Sequence, residues 1–101
     1  MLRRSRLEVL VDIMKVIAEE REIRRTRVMY RANLAWKVLK ESLDFLKKNN
    51  IIQERETSAG IVISLTQQGY SVLSRYTEIE AVFSPIAPVA YPQPRQNTIF
   101  T

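Results

Sequence analysis

The chain has 101 residues, 46% of them hydrophobic and 27% charged, and a formal net charge of +5. That size suits one small globular body and is too short for two independent cores. Cysteine and histidine are both absent, which removes disulfides, thiol nucleophiles, Cys/His zinc sites and histidine-based catalytic triads together. No apolar run approaches the roughly 20 residues of a membrane span, and the first residues lack the apolar stretch of a secretory signal. The expectation is a cytoplasmic protein with no membrane, metal or cofactor.

Residues 5–20 carry Leu7, Leu10, Val11, Met14, Ile17 and Ala18 at the spacing of a buried helical face. Glu8, Asp12, Lys15 and Glu19 make the opposite polar stripe, and Ser5 with Glu8 makes a capping box. Val9, Ile13 and Val16 add a second apolar row, to be covered by the core or by a second subunit. Residues 24–32 read as a short helix with Val28, Met29 and Ala32 inward and Arg24, Arg25, Arg27 and Arg31 outward. Thr26 is placed to cap its start. Asn33-Leu34 is a turn, in which Asn33 bonds nearby backbone or caps the next helix.

Over 35–49 a third helix repeats Trp36, Leu39, Leu43 and Leu46 as a core stripe, widened by Val38 and Phe45. Lys37, Lys40, Glu41, Asp44, Lys47 and Lys48 take the other side, and Asn49-Asn50 is suited to a left-handed ending. Residues 51–57 and 61–65 are β-branched and partly alternating, with Ser58-Ala59-Gly60 between them, which predicts a hairpin with positive φ at Gly60. Thr66 caps a last helix over 67–83, in which Gly69 weakens the first turn only modestly. All four prolines fall in the final 17 residues. The expected division is therefore a body over 1–83 and a Pro-rich tail over 84–101 whose composition reads as disordered.

Charge is localised. Residues 21–48 hold nine cations against three acids, a surplus of six, whereas residues 1–20 balance. Such a field is the footprint of a polyanion, most often nucleic acid; the bland alternative is a well-solvated surface. The order helix, helix, helix, hairpin, helix defines a mainly α fold with a small β-hairpin. Its short basic helix, tight turn and longer amphipathic helix make a helix-turn-helix. In that geometry the second helix enters the major groove of double-stranded DNA. Ala35, Trp36, Lys37, Lys40 and Glu41 then stand at the groove. Arg24, Arg25, Arg27, Arg31 and Asn33 lie on or beside the preceding helix, with no acid evident near Arg27 and Arg31. The nine cations are expected to form one contiguous platform. Trp36 is read as core or core edge, with stacking on DNA as the alternative. Arg55, flanked by Glu54 and Glu56, and Ser58 are the wing candidates for a weak backbone contact. Arg3, Arg4 and Arg6 are either an arm on DNA or a soluble end.

The stretch Arg25-Thr26-Arg27-Val28-Met29-Tyr30-Arg31-Ala32-Asn33-Leu34, the helix ending in Asn50-Ile51-Ile52, and the junction Leu65-Thr66-Gln67-Gln68-Gly69 resemble small archaeal winged-helix DNA-binding proteins. The resemblance covers about residues 5–80. It implies a winged helix-turn-helix that binds double-stranded DNA as a dimer, in transcriptional regulation or chromatin, and hence a place on the nucleoid. Two features depart from that group: Ala35 stands where a serine often begins the groove helix, and a Pro-rich tail replaces a long coiled coil. The last helix carries an apolar row, Val72, Tyr76, Ile79, Val82 and Phe83, beyond what one small core needs, and this row is the expected homodimer face. A chromatin-coating protein of low sequence preference and a winged-helix protein-interaction module are the rival functions. An enzyme is not expected, because Glu19-Glu20 and the Glu78/Glu80 pair have no partner suited to acid–base chemistry.

Overall fold

The computed structural model describes residues 4–83. Its elements are α1 (Arg6–Glu20), α2 (Arg25–Ala32), α3 (Trp36–Lys48), β1 (Ile52–Thr57), β2 (Gly60–Leu65) and α4 (Gln67–Phe83), the order expected from the sequence. The Pro-rich tail and Arg3 lie outside the described residues. Within them, no helix is long and apolar enough to cross a membrane.

α1 begins with the capping box: the Glu8 N–H donates to the Ser5 hydroxyl at 3.1 Å, and the Ser5 N–H donates to the Glu8 carboxylate at 2.7 Å. From Leu10 on, its two apolar rows bury wholly or partly against one core; Leu7, expected on the buried face, is 56% exposed because the first turn of α1 runs past the edge of that core. Ile13 and Val16, which a second subunit could have covered, are buried within the chain itself, with Ile17, Val28, Leu39, Leu43, Ile52 and Ile63 in the same cluster. Partners on α2, α3 and the hairpin cover the second row from Ile13 on, without a second subunit.

Helices α2 and α3 stop by the same device. Asn33 and Asn50 take positive φ, 55° and 60°. The following residue's N–H then reaches back across the last turn, Leu34 to Met29 (3.0 Å) and Ile51 to Leu46 (2.9 Å). Both closures satisfy orphan carbonyls in the manner of a Schellman end, and asparagine tolerates the left-handed backbone well. Asn33 thus ends α2 and does not cap α3. Ala35 fills the N-cap of α3 with no side-chain bond, and Arg24 does the same for α2, so Thr26 does not cap α2 either. α2 starts two residues too early for Thr26 to occupy the capping position.

The hairpin is antiparallel, with Ile52 opposite Leu65 and Thr57 opposite Gly60. Gly60, at φ 120°, turns the chain where a side chain would be strained. Ile23, between α1 and α2, adds a third edge: its N–H and carbonyl exchange bonds with Ile63 at 3.0 and 2.8 Å. That bridge ties the entry of α2 to the wing.

Thr66 joins the wing to α4. Its hydroxyl donates to the Asn50 carbonyl at 2.7 Å and accepts from the Gly69 N–H at 2.9 Å. Gly69 packs directly against the backbone that links α3 to β1: a Cβ here would overlap the Ile51 carbonyl oxygen and press on Leu65. The residue is therefore required for close approach, a stronger role than a weak spot in the first turn. Helix propensity alone would favour alanine by up to about 1 kcal/mol. Gly69→Ala is instead expected to destabilise the protein by about 1–3 kcal/mol, as overpacking does, measured by urea denaturation; a stabilised variant would show that α4 does not press on Ile51.

Candidate nucleic-acid interface

α3 is buried on one side and bare on the other. Leu39, Ser42, Leu43 and Leu46 face the core. At 100° per residue, Lys37, Glu41, Asp44 and Lys48 form a ridge on the opposite side, and all four are exposed. Trp36, Lys40 and Lys47 make one shoulder of that ridge; Val38 and Phe45 make the other. Among the described residues Lys37, Lys40, Glu41, Asp44 and Lys48 form no ion pair. The core stripe stops at Leu39: Trp36, one turn earlier, is 47% exposed and stands at the helix start beside the Asn33 turn. Tyr30 of α2 is 78% exposed, a surface aromatic that the basic pattern of the helix did not single out. Its place opposite Val28 and Ala32 on the helical wheel was the available signal.

The arginines of α2 are not free. Arg27 Nε donates to Glu20 Oε2 at 2.9 Å. Arg31 forks across two carboxylates, Glu19 Oε1 at 2.6 Å and Glu20 Oε2 at 2.9 Å. Arg25 Nη2 donates to Glu54 Oε2 at 2.7 Å, and Lys47 Nζ to Glu54 Oε1 at 3.0 Å. Arg55 pairs with Glu22 at 2.6 Å, not with its neighbours on the strand. The expectation that no acid stands near Arg27 and Arg31 is therefore corrected: Glu19 and Glu20 reach them from the end of α1. The contiguous cationic platform is corrected with it, because carboxylates interrupt it. Arg21, Arg24, Lys37, Lys40 and Lys48 are the cations of this region that form no ion pair among the described residues. Ser58 is exposed at the tip of the wing.

Two of the N-terminal arginines have internal partners. Arg4 donates to the Ala32 and Asn33 carbonyls at 2.8 and 2.9 Å and pairs with Asp12 at 3.0 Å, so it braces the turn between α2 and α3. Arg6 lies 5.3 Å from the Phe45 ring centroid, a cation–π contact between α1 and α3.

The electrostatics reflect this geometry. The Arg27 hydrogen bond, with Arg31 beside it, holds the Glu20 carboxyl below its ordinary range. Arg25 and then Lys47 do the same for Glu54, whose side chain is 15% exposed. Hydrogen bonds to Glu19 and Glu20 raise Arg31 further.

A winged helix-turn-helix family model matches residues 3–84, and the chain belongs to that family. It is 34% identical over 77 residues to an uncharacterized protein of the archaeon Methanocaldococcus jannaschii, covering 76% of this chain and 74% of that one. A second protein of the same archaeon is 30% identical over 87 residues, covering 86% of this chain and 37% of the relative. Among solved structures, the PcaV transcriptional regulator of Streptomyces coelicolor superposes with a TM-score of 0.73 at 17% identity, covering 81% of this chain and 64% of the regulator. Streptococcus pneumoniae FabT, solved in complex with DNA, gives 0.65 at 14% identity, with coverages of 80% and 60%. The likeness to these two is one of fold, and the chain spans about three fifths of their length.

Because Glu20 and Glu54 are held low in the folded state, their pairs contribute stability above the unfolded carboxylate pKa. That contribution is lost as pH falls through the carboxylate range. Acid titration followed by circular dichroism is expected to show Glu20→Gln and Glu54→Gln losing less stability than the parent between about pH 5 and pH 3. Parallel curves would mean that the carboxylates titrate alike folded and unfolded.

Proposed function

We propose that the chain is a transcriptional regulator that binds double-stranded DNA as a homodimer, with α3 in the major groove. One observation carries this reading: the outward ridge and Lys40 shoulder of α3 are exposed and unpaired, at the first turns of the second helix of a helix-turn-helix. That is where groove contacts are made in such a fold. Its family membership supports the reading, as does the likeness of its fold to regulators that include one solved on DNA.

In this arrangement Lys37, Lys40 and Glu41 face base edges, and Ala35 lets the backbone approach. Trp36 and Tyr30 are amphipathic surfaces beside the groove. Arg21, Arg24 and Lys48 engage phosphates. The wing contributes through Ser58 at its tip, since Arg55 is turned toward Glu22. Phosphate contacts position the domain and base contacts specify the site.

The homodimer rests on α4. Val72, Ile79, Val82 and Phe83 are exposed, Val82 to 71%, and Tyr76 is half-buried. Val72 and Tyr76 also line a hollow of about 320 Å³ with Leu7, Leu10, Met14 and Phe45. The apolar row thus runs from this hollow to the end of the helix, a surface larger than isolated exposed residues account for.

Fluorescence anisotropy against duplex DNA tests the binding. With the three cations Arg21, Arg24 and Lys48 on phosphates in each subunit, log K is expected to fall with log salt at a slope of about −3 per subunit. Lys37→Ala is expected to lose about tenfold in affinity for a selected site, and less for random DNA. Binding that ignores salt, or equal losses on every sequence, would exclude groove reading. Light scattering on the eluting protein is expected to give twice the chain mass, and Ile79→Glu/Val82→Glu to halve it; a monomeric parent at tens of micromolar would remove the dimer.

A further inference from the structure

The basic surplus of residues 21–48 is largely met by carboxylates from outside that segment. Glu19 and Glu20 at the end of α1 hold Arg27 and Arg31; Glu54 on β1 holds Arg25 and Lys47. Counted with these three acids, the surplus of six falls to three. Arg31 is gripped by two carboxylates at once, and Glu54 is shared by two cations on different helices. Stability accounts for part of this arrangement, since Glu20 and Glu54, at 23% and 15% exposure, contribute to it through their pairs. Glu19, Lys47 and Arg27 are 56–62% exposed, and exposed pairs of this kind each contribute only about 0–1 kcal/mol. Their effect on the field that a polyanion meets is larger, because a neutralised cation releases no counterion when phosphate approaches.

The free and held cations also differ in place. Those left unpaired among the described residues are Arg21 and Arg24, ahead of α2, and Lys37, Lys40 and Lys48, on the helix able to reach base edges. Those held include three of the four arginines in the α2 segment, Arg25, Arg27 and Arg31, where side chains reach only backbone. Lys47 joins them at the far end of α3, beside the wing.

We propose that Glu19, Glu20 and Glu54 temper the sequence-independent grip of the domain on DNA: they occupy Arg25, Arg27, Arg31 and Lys47 as phosphate would, withdrawing them from the DNA backbone. The backbone contribution to affinity is lowered on every sequence, and the contribution of base edges is untouched. This rests on the DNA-binding reading above.

The test compares the parent with Glu19→Gln/Glu20→Gln and with Glu54→Gln on two probes. One is a duplex of random sequence and the other is a duplex selected by the parent from a random pool. Each glutamine variant is expected to bind the random duplex about tenfold more tightly and to steepen its salt slope by about 1–2, one or two cations being freed. The selected duplex gains by a similar factor, because the freed cations meet only phosphate, which carries no sequence information. Adding Arg27→Gln/Arg31→Gln to the first variant returns random-duplex binding to the parent level, which a loss of packing would not do. Unchanged affinities and slopes in variants that keep the parental circular dichroism would overturn the inference while DNA binding stands. A parent that binds neither duplex would remove the DNA-binding reading itself, and this inference with it.

Discussion

Burial of one face of α3 governs the rest of the molecule. Leu39, Leu43 and Leu46 are almost wholly withdrawn from water, in one cluster with Ile13 and Ile17 of α1 and Ile63 of β2. A helix anchored along that stripe has no freedom to rotate about its axis. The residues opposite, Lys37, Glu41, Asp44 and Lys48, are therefore presented to solvent as a fixed row. Both approaches to the helix are clamped as well: Asn33 and Asn50 close the preceding and following turns in left-handed conformations, and Arg4 bonds the carbonyls of the first turn from outside. The groove-reading role proposed for α3 would benefit from this preorganisation, because side chains that must be ordered on binding subtract from affinity.

The wing is integrated into the same frame. Ile23 bonds to Ile63, Thr66 bonds back to Asn50, and Gly69 lies against Ile51. Glu54 adds a polar tie, joining β1 to the start of α2 and the end of α3. Displacing the hairpin would disturb the helix-turn-helix at three points. The wing tip and the ridge of α3 thus keep a set separation, a condition for touching two parts of one duplex.

Much of the frame was legible in the residues. The Ser5/Glu8 capping box, the i, i+3, i+4 stripes of α1 and α3, the asparagine ends and the Thr66 cap are local devices, each settled within a few residues of chain. They appeared in the structure within a residue or two of the expected bounds. The hairpin was legible for the same reason, with Gly60 marking its turn. What went unread depended on approach between distant segments. The bridge from Ile23 to Ile63 spans 40 residues, and the contact of Gly69 with Ile51 spans 18. Thr26 and Asn33 were assigned capping roles from their types, and the starts of α2 and α3 fell two residues away from what those roles required.

The sequence by itself determined the kind and order of elements, the apolar stripe of each helix and the size of the basic surplus, because propensity, periodicity and composition act along the chain. Only the tertiary structure decided which cations remain available. Ion pairing depends on distances between side chains from separate elements, and nothing in the spacing of Arg27 and Arg31 announces that the end of α1 arrives beside them. Charge is additive along a sequence, but its effect on a partner is set by what lies within a few ångströms in the fold.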